Sequence, residues 1–182
     1  MRVIAGTARG KNLQALPGEE ITRPTIDRVK EAMFSSVQFL VPGARVLDLF
    51  AGSGQLGIEA LSRGARSCLF VDQSPQALAV VAANCKAAGV DRQSDIRHSE
   101  ALQFLANIRG PFDLVLLDPP YRRNLLAQVL PALQEKLAPG GVILAESERE
   151  AELPERVGAL VLAKQYHYGK IMVSRYEREG QP

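Results

Sequence analysis

At 182 residues, with 46% hydrophobic and 23% charged side chains, the chain has the make-up of one folded domain with a sizeable core, which excludes a disordered or fibrous chain. No apolar run is long enough to span a bilayer, and the start "MRVIAGTARGKN" lacks the apolar stretch of a secretory leader, so a soluble, cytoplasmic protein is expected. Two cysteines, Cys68 and Cys85, and two histidines, His98 and His167, show no ligand spacing; no metal is expected, and both cysteines read as buried apolar residues. The net charge of +2 is unevenly spread: residues 1–30 carry Arg2, Arg9, Lys11, Arg23, Arg28 and Lys30 against Glu19, Glu20 and Asp27, a basic end that can face a polyanion.

In chain order, "RVIA" and "NLQAL" flank the Gly-bounded turn "GTARGK", so residues 2–16 are predicted to form a hairpin. After a loop, "TIDRVKEAMFSSVQFL" places Ile26, Val29, Met33, Phe34, Val37 and Leu40 at helical spacing, with Thr25 as its N-cap. From Ala44 strands and helices alternate. The strands are "RVLDLF", "SCLFVD", "SDIRH", "FDLVLLD" and "GVILAES"; the helices are "QLGIEALSRG", "SPQALAVVAANCKAAG", "SEALQFLANIRG" and "LLAQVLPALQEKLAPG". That alternation means crossover units on a parallel sheet covered on both faces. Pro131 inside the fourth of these helices predicts a kink or a late start. The last stretch, "ALVLAKQYHYGKIMVSRYE", reads as an antiparallel hairpin about Tyr168-Gly169, which is not the pattern of a plain dinucleotide dehydrogenase.

Two motifs carry chemistry. The first is Gly52-Ser53-Gly54-Gln55-Leu56-Gly57, a G-x-G-x-x-G between strand and helix, with Asp72 ending the next strand about 20 residues on. Glycines let a ligand approach the backbone, and an acid at Asp72 suits the hydroxyls of a ribose. A nicotinamide dinucleotide would set its pyrophosphate at the helix start. Asp48, four residues before the first glycine, would repel it and would suit the ammonium and sulfonium of S-adenosylmethionine. After the third strand, Glu100 could accept from an adenine amine and the Ala101 N–H could donate to the ring, although an acid is also at home at a helix start.

The second motif is Asp118-Pro119-Pro120-Tyr121, where a buried apolar run stops. Ligands of open α/β sheets sit beyond the carboxyl ends of the strands, and proline is tolerated there. The exocyclic amine of a base is a poor nucleophile, because its lone pair is delocalised into the ring. Acceptors around both N–H bonds, here Asp118 and the Pro119 carbonyl, would turn that lone pair toward an electrophile. Pro119 has no N–H and its ring stiffens the turn that carries the carbonyl, Pro119 and Pro120 in succession fix the backbone, and Tyr121 offers a face for the base to stack on.

Together "DLFAGSGQLGIEAL", "FVD", "LLDPPY", "RVIAGTARGKNL", "TRPTIDRVKEAMF" and "YHYGK" resemble the RsmD family, the bacterial guanine-N2 methyltransferases of 16S ribosomal RNA. The resemblance spans nearly the whole chain. It implies an α/β class I S-adenosylmethionine-dependent methyltransferase fold, Rossmann-like, with a seven-stranded sheet ending in an antiparallel hairpin. It divides the chain into a basic hairpin extension, residues 1–24, and a methyltransferase domain, residues 25–182. It implies S-adenosylmethionine held by Asp48, Gly52, Gly54 and Asp72, with Phe50 and Ser53 in the same loop, and a guanine held by Asp118, Pro119, Pro120 and Tyr121. The partner would be 16S rRNA, within the small ribosomal subunit, bound by a monomer. Related enzymes often carry aspartate where this chain has Ser99-Glu100. Arg9, Lys11 and Arg23, with Arg28 beside them, are expected to hold RNA phosphates.

Other readings remain open on sequence. The same catalytic motif serves adenine-N6 and cytosine-N4 methyltransferases, which usually need a target-recognition segment that this length hardly admits. A protein-glutamine methyltransferase fits the motif, though not the basic start. The intact Asp118-Pro119-Pro120-Tyr121 and glycine loop count against an RNA-binding module with a decayed site, and Asp48 and the terminal hairpin count against a nicotinamide dehydrogenase.

Overall fold

The apolar runs of the central sequence are too short for buried helices and become strands, each entered or left by a Gly-, Pro- or Ser-marked turn. A computed structural model describes residues 1–17, 24–120 and 124–180. Its elements are α1 (Pro24–Ser35), β1 (Arg45–Asp48), α2 (Gln55–Ser62), β2 (Ser67–Asp72), α3 (Pro75–Ala88), β3 (Ser94–His98), α4 (Ala101–Asn107), β4 (Phe112–Leu117), α5 (Leu125–Leu133), β5 (Leu137–Glu148), β6 (Arg156–Val157), β7 (Leu160–Tyr168) and β8 (Ile171–Arg178).

The strands form one sheet in the order β3-β2-β1-β4-β5-β8-β7-β6. From β3 to β5 the pairing is parallel; β8 runs antiparallel to β5, and β7 to β8. The strand order reverses between β1 and β4, the crevice where open α/β sheets bind ligands. Period-two alternation splits the core. Val46, Phe70, Leu116 and Leu144 meet α1, α2 and α3 through Phe34, Ile58 and Val81. Leu47, Val71, Val115 and Leu117 meet α4 and α5 through Leu105, Val129 and Leu130. Cys68 and Cys85 are buried in the first layer, and burial pushes both thiols up.

Several boundaries differ from the sequence reading. The sheet gains an eighth strand, β6, because two residues before Gly158 pair with the start of β7. The last crossover helix ends at Leu133, not near Gly140, and β5 begins at Leu137. Pro131 neither kinks it into two pieces nor delays its start; the helix simply stops within a turn of it. The Pro139-Gly140-Gly141 run cannot continue a helix and instead sits in a register shift between β4 and β5, with Gly140 at φ +73°. α1 begins at Pro24, so Thr25 lies inside the first turn rather than capping it, and Pro24 takes a position that favours proline.

The N-terminal segment closes a hairpin through one bridge, Arg2 to Asn12, rather than two full strands. Val3, Ala8 and Leu13 enter the α1–α2 core. Glu59 on α2 is fully buried. Its carboxylate accepts from the N–H groups of Ile4 (2.8 Å) and Ala5 (3.0 Å) and from Arg63 Nε (2.8 Å), and it lies 3.6 Å from the buried Lys30 Nζ. Lys30 also donates to the Arg2 carbonyl at 2.6 Å. It is therefore a structural cation and not part of the exposed basic surface that the sequence suggests. Among the described residues no helix is long and apolar enough to cross a membrane.

Candidate active site

β1 delivers the chain into the glycine turn at the switch point. Gly52 (φ +54°) and Gly54 (φ +79°) both need the left-handed backbone that glycine adopts without strain. Gly54 caps α2, and its N–H donates to Ala51 O at 2.6 Å. Gly57 has a different task. A Cβ there would come within 2.3 Å of Phe70 and 2.7 Å of Cys68 Sγ, so the third glycine seats α2 on β2.

The two carboxylates at the strand ends hold this turn. Asp72 Oδ2 accepts from Gly52 N–H at 2.9 Å, and Oδ1 accepts from Ser74 N–H at 2.8 Å. Asp48 is buried, and its Oδ2 accepts from Gly57 N–H at 2.9 Å. Burial pushes the Asp48 carboxyl up to about 7; the Gly57 hydrogen bond opposes the shift and the nearby Asp72 adds to it. Gln55 Oε1, at the first position of α2, is buried with no hydrogen-bond partner among the described residues. A desolvated carboxyl before the turn and an unused acceptor after it suit a cationic ligand.

The raised Asp48 value has a testable sign. Between the ordinary aspartate value of 3.8 and about 7, the folded protein keeps a proton that the unfolded chain releases. The resulting stabilisation is full below that window and is lost as pH rises through about 7. Asp48→Asn, which keeps an acceptor for Gly57, is expected to flatten the fall in melting temperature between acidic and mildly alkaline buffer. An equal fall in parent and variant by calorimetry would remove Asp48 as the titrating group.

Asn84 on α3 is a linking residue that sequence reasoning missed. Its Oδ1 accepts from Gln14 N–H (2.8 Å), and its Nδ2 donates to Gln14 O (3.0 Å) and Ser53 O (2.8 Å). It ties the N-terminal segment to the glycine turn; Ser53 Oγ also lies 3.4 Å from Met1 Sδ. The available signal was a lone amide inside the apolar run "VVAANCKAAG". Ser53 is buried, and Phe50 is half-buried against the α4–α5 layer. Glu100 caps α4, its carboxylate accepting from Gln103 N–H at 3.0 Å, and Ala101 is buried behind it. The helix start accounts for the acid at this position.

β4 ends beside β1, with Leu116 opposite Asp48 and Leu49 N–H donating to Leu116 O. Asp118 thus lies two residues beyond the partner of Asp48. On its other side, Leu117 pairs with Ala145, so the next step of the ladder sets Asp118 beside Glu146. Asp118 is half-buried, Pro119 buried and Pro120 exposed. A pocket of about 260 Å³ opens here, walled by Pro119, Pro120, Leu125, Leu126 and Leu153, with Glu146, Glu148 and Glu152 at its polar side. Tyr121 lies outside the described residues, as does Arg23.

Arg9 and Lys11 are exposed but are not brought to this edge. Their turn docks on the C-terminal end of α2, where Thr7 N–H and Ala8 N–H donate to Ser62. An eight-residue helix, about 12 Å long, separates them from the glycine turn. Arg28 is exposed on the first turns of α1; Arg2 pairs with Asp27 at 3.1 Å. Among the described residues no group of acidic, Cys and His side chains could hold a metal ion.

Five parallel strands, a glycine turn after β1, a carboxylate ending β2 and an antiparallel terminal hairpin define a class I, Rossmann-like methyltransferase fold. A solved structure of the Escherichia coli protein yhhF, provisionally called a methyltransferase, superposes with a TM-score of 0.87 at 33% identity, covering 100% of this chain and 99% of that one. Residues 1–177 match the family described as Conserved hypothetical protein 95, and the chain belongs to it; this is the RsmD family that its motifs resemble. It is 42% identical to YlbH of Bacillus subtilis, provisionally named an rRNA methyltransferase, over 99% of this chain and 100% of that protein. It is 36% identical to Ribosomal RNA small subunit methyltransferase D of Escherichia coli K12, over 100% of this chain and 91% of that protein.

Proposed function

We propose that this protein methylates the exocyclic N2 amine of a guanine in 16S ribosomal RNA, using S-adenosylmethionine, as a cytoplasmic monomer acting on the small subunit. The observation that carries the reading is the register that sets Asp118 and Pro119 one strand from the glycine turn, beside a pocket with apolar walls and carboxylates. Gly52, Gly54 and Asp72 would hold the donor's backbone-facing groups and ribose, with Asp48 near its cationic part. S-adenosylmethionine supplies an electrophilic methyl group on sulfur.

The chain's own residues do the rest. Asp118 and the Pro119 carbonyl accept from the two N–H bonds of the amine and turn its lone pair out of the ring plane. The buried Pro119 has no N–H to compete for that geometry. Oriented acceptors of this kind lower a barrier without reorganising. The pocket supports guanine over the other amine-bearing bases. The Watson–Crick edge of guanine presents N1–H beside the amine, a further donor for a carboxylate such as Glu146. Adenine and cytosine present a ring acceptor there, which a carboxylate repels.

Donor binding and acceptor choice test the reading separately. Asp72→Ala should weaken S-adenosylmethionine at least about tenfold, since a hydrogen bond to a charged group is worth roughly 1.5–3 kcal/mol. An unchanged dissociation constant by calorimetry would move the ribose contact elsewhere. Offered small-subunit RNA, duplex DNA and protein extract with methyl-labelled donor, the protein should label the RNA. Label in DNA or protein instead would overturn the substrate class.

A further inference from the structure

The β7–β8 hairpin brings a second basic and aromatic surface to the catalytic edge, one that the glycine turn and Asp118 do not use. Because β8 runs antiparallel to β5, its start lies at the carboxyl end of the parallel strands. Glu148 pairs with Ile171, which pairs with Tyr168; Glu146 pairs with Val173, which pairs with Tyr166. The same ladder that sets Asp118 beside Glu146 therefore continues to Tyr166, three strand spacings away, or about 14 Å.

Lys164, Tyr166 and Tyr168 alternate along β7 and so share one face of the sheet. Lys164 Nζ sits 5.0 Å from the Tyr166 ring centre. Both tyrosines pack one side against the core and leave the other partly open. Partial burial and the neighbouring Tyr166 push the Tyr168 phenol up, so the ring keeps its hydroxyl neutral. β6 reaches only Val161 and Leu160, so among the described residues the edge of β7 away from β8 carries no strand from Lys164 to Tyr168. Exposed Lys170 and Arg149 meet at the tip, where Arg149 N–H donates to Lys170 O at 2.9 Å; Glu150 is the exposed acid beside them.

We infer that this hairpin tip binds single-stranded RNA next to the target base, with Tyr166 and Tyr168 stacking on flanking nucleotides and Lys164 and Lys170 holding their phosphates. This rests on the reading of RNA as substrate. A base drawn into the Pro119–Pro120 pocket must leave its neighbours unstacked, and exposed rings beside cations replace that stacking. The 14 Å span matches a few nucleotides of extended chain. Arg9 and Lys11, at the far end of α2, cannot serve those nucleotides.

The test is binding of a fluorescein-labelled single-stranded oligoribonucleotide of about ten nucleotides. Tyr166→Ala/Tyr168→Ala should lose at least about tenfold in affinity, since stacking is worth roughly fivefold to a hundredfold per base. Tyr166→Phe/Tyr168→Phe should stay near the parent, and both should bind S-adenosylmethionine as the parent does. Lys164→Glu/Lys170→Glu should flatten the slope of log affinity against log salt by about 1.4, at about 0.7 per contact. Parental binding by the alanine pair overturns the inference. So does an equal loss in the phenylalanine pair, which would assign the contact to the hydroxyls. If the alanine pair melts early, the exposed lysine pair decides, and an unchanged slope and affinity overturn it. Parental RNA binding with affinity lost only for the intact subunit would assign the tip to a ribosomal protein and overturn it too. A parent that binds the probe through these residues yet transfers no methyl to RNA would sink the proposed function alone.

Discussion

Asp118→Ala is expected to lower single-turnover methyl transfer by about 10²–10³-fold while leaving donor affinity within about twofold. The size is that of removing one oriented polar partner from a developing charge, on the order of 2.7–4 kcal/mol. The separation follows from the fold. Asp118 follows the end of β4, and the glycine turn is built on β1 and tied by Asp72 and Asp48, which make their own bonds to Gly52 and Gly57. Removing a β4 carboxylate leaves those bonds intact. Asp118→Asn should fall less, because its amide oxygen still accepts from one N–H of the amine. Rapid-quench transfer and calorimetric donor titration on the same preparations distinguish the cases. A variant that loses donor binding and turnover together would make Asp118 a structural residue of the cleft.

Glu59→Ala is expected to be the most destabilising single change away from the catalytic edge. It costs about 3–5 kcal/mol, because a buried cation is left without its partner. For a chain of this size that is a fall of roughly 6–20 °C in melting temperature. Lys30 is 2% exposed, and its remaining bond is to the Arg2 carbonyl. Burial already pushes the Lys30 ammonium down, and Glu59 is the first of the charges that hold it up. The N–H groups of Ile4 and Ala5 lose their acceptor in the same step. Lys30→Met in the Glu59→Leu background should recover part of the loss, since an apolar pair of similar volume is tolerated where a lone charge is not. The N-terminal segment should exchange its amide hydrogens faster in Glu59→Ala. A loss below about 1 kcal/mol in urea unfolding would place the segment's anchorage elsewhere, in Ser62 or the apolar contacts of Val3 and Leu13.

Much of the fold was legible because its signals are local. Val46-Leu47, the run from Cys68 to Val71 and the run from Phe112 to Leu117 are short apolar stretches with turn residues at their ends, and each became a parallel strand. Ser74 before Pro75 marked a helix start, and its hydroxyl does accept from Ala77 N–H. What sequence could not convey is long-range compensation. Lys30 reads as surface charge until Glu59, 29 residues later, is seen to bury with it. Asn84 reads as a helix polar residue until it meets Gln14 and Ser53. The α5–β5 boundary was misread because "LPALQEKLAP" keeps helical spacing to Leu137, whereas strand pairing with Phe112 takes that leucine.

The site divides the same way. The placement of the glycine turn, Asp72 and Asp118 at strand ends was legible, because each closes a short apolar run. Gly57 was grouped with the ligand loop, but Phe70 and Cys68 beneath it set its size. Glu100, expected near an adenine, also caps α4, a local role that an acid at a helix start already suggests. The basic residues of the start were expected to reach a bulky substrate from a Gly-rich turn outside the sheet core; the hairpin sets Arg9 and Lys11 at the far end of α2. The β7 tyrosines reach the catalytic edge only through the β4-β5-β8-β7 register, which no stretch of sequence displays.

The most direct measurement of the central claim is the identity of the methylated nucleoside. Small-subunit RNA lacking the modification is incubated with the protein and methyl-labelled S-adenosylmethionine, digested to nucleosides and separated by chromatography with mass detection. All label is expected in N2-methylguanosine, and Asp118→Ala should leave that peak empty at the same reaction time. Label in N6-methyladenosine or N4-methylcytidine, or an undiminished peak from Asp118→Ala, would contradict the account.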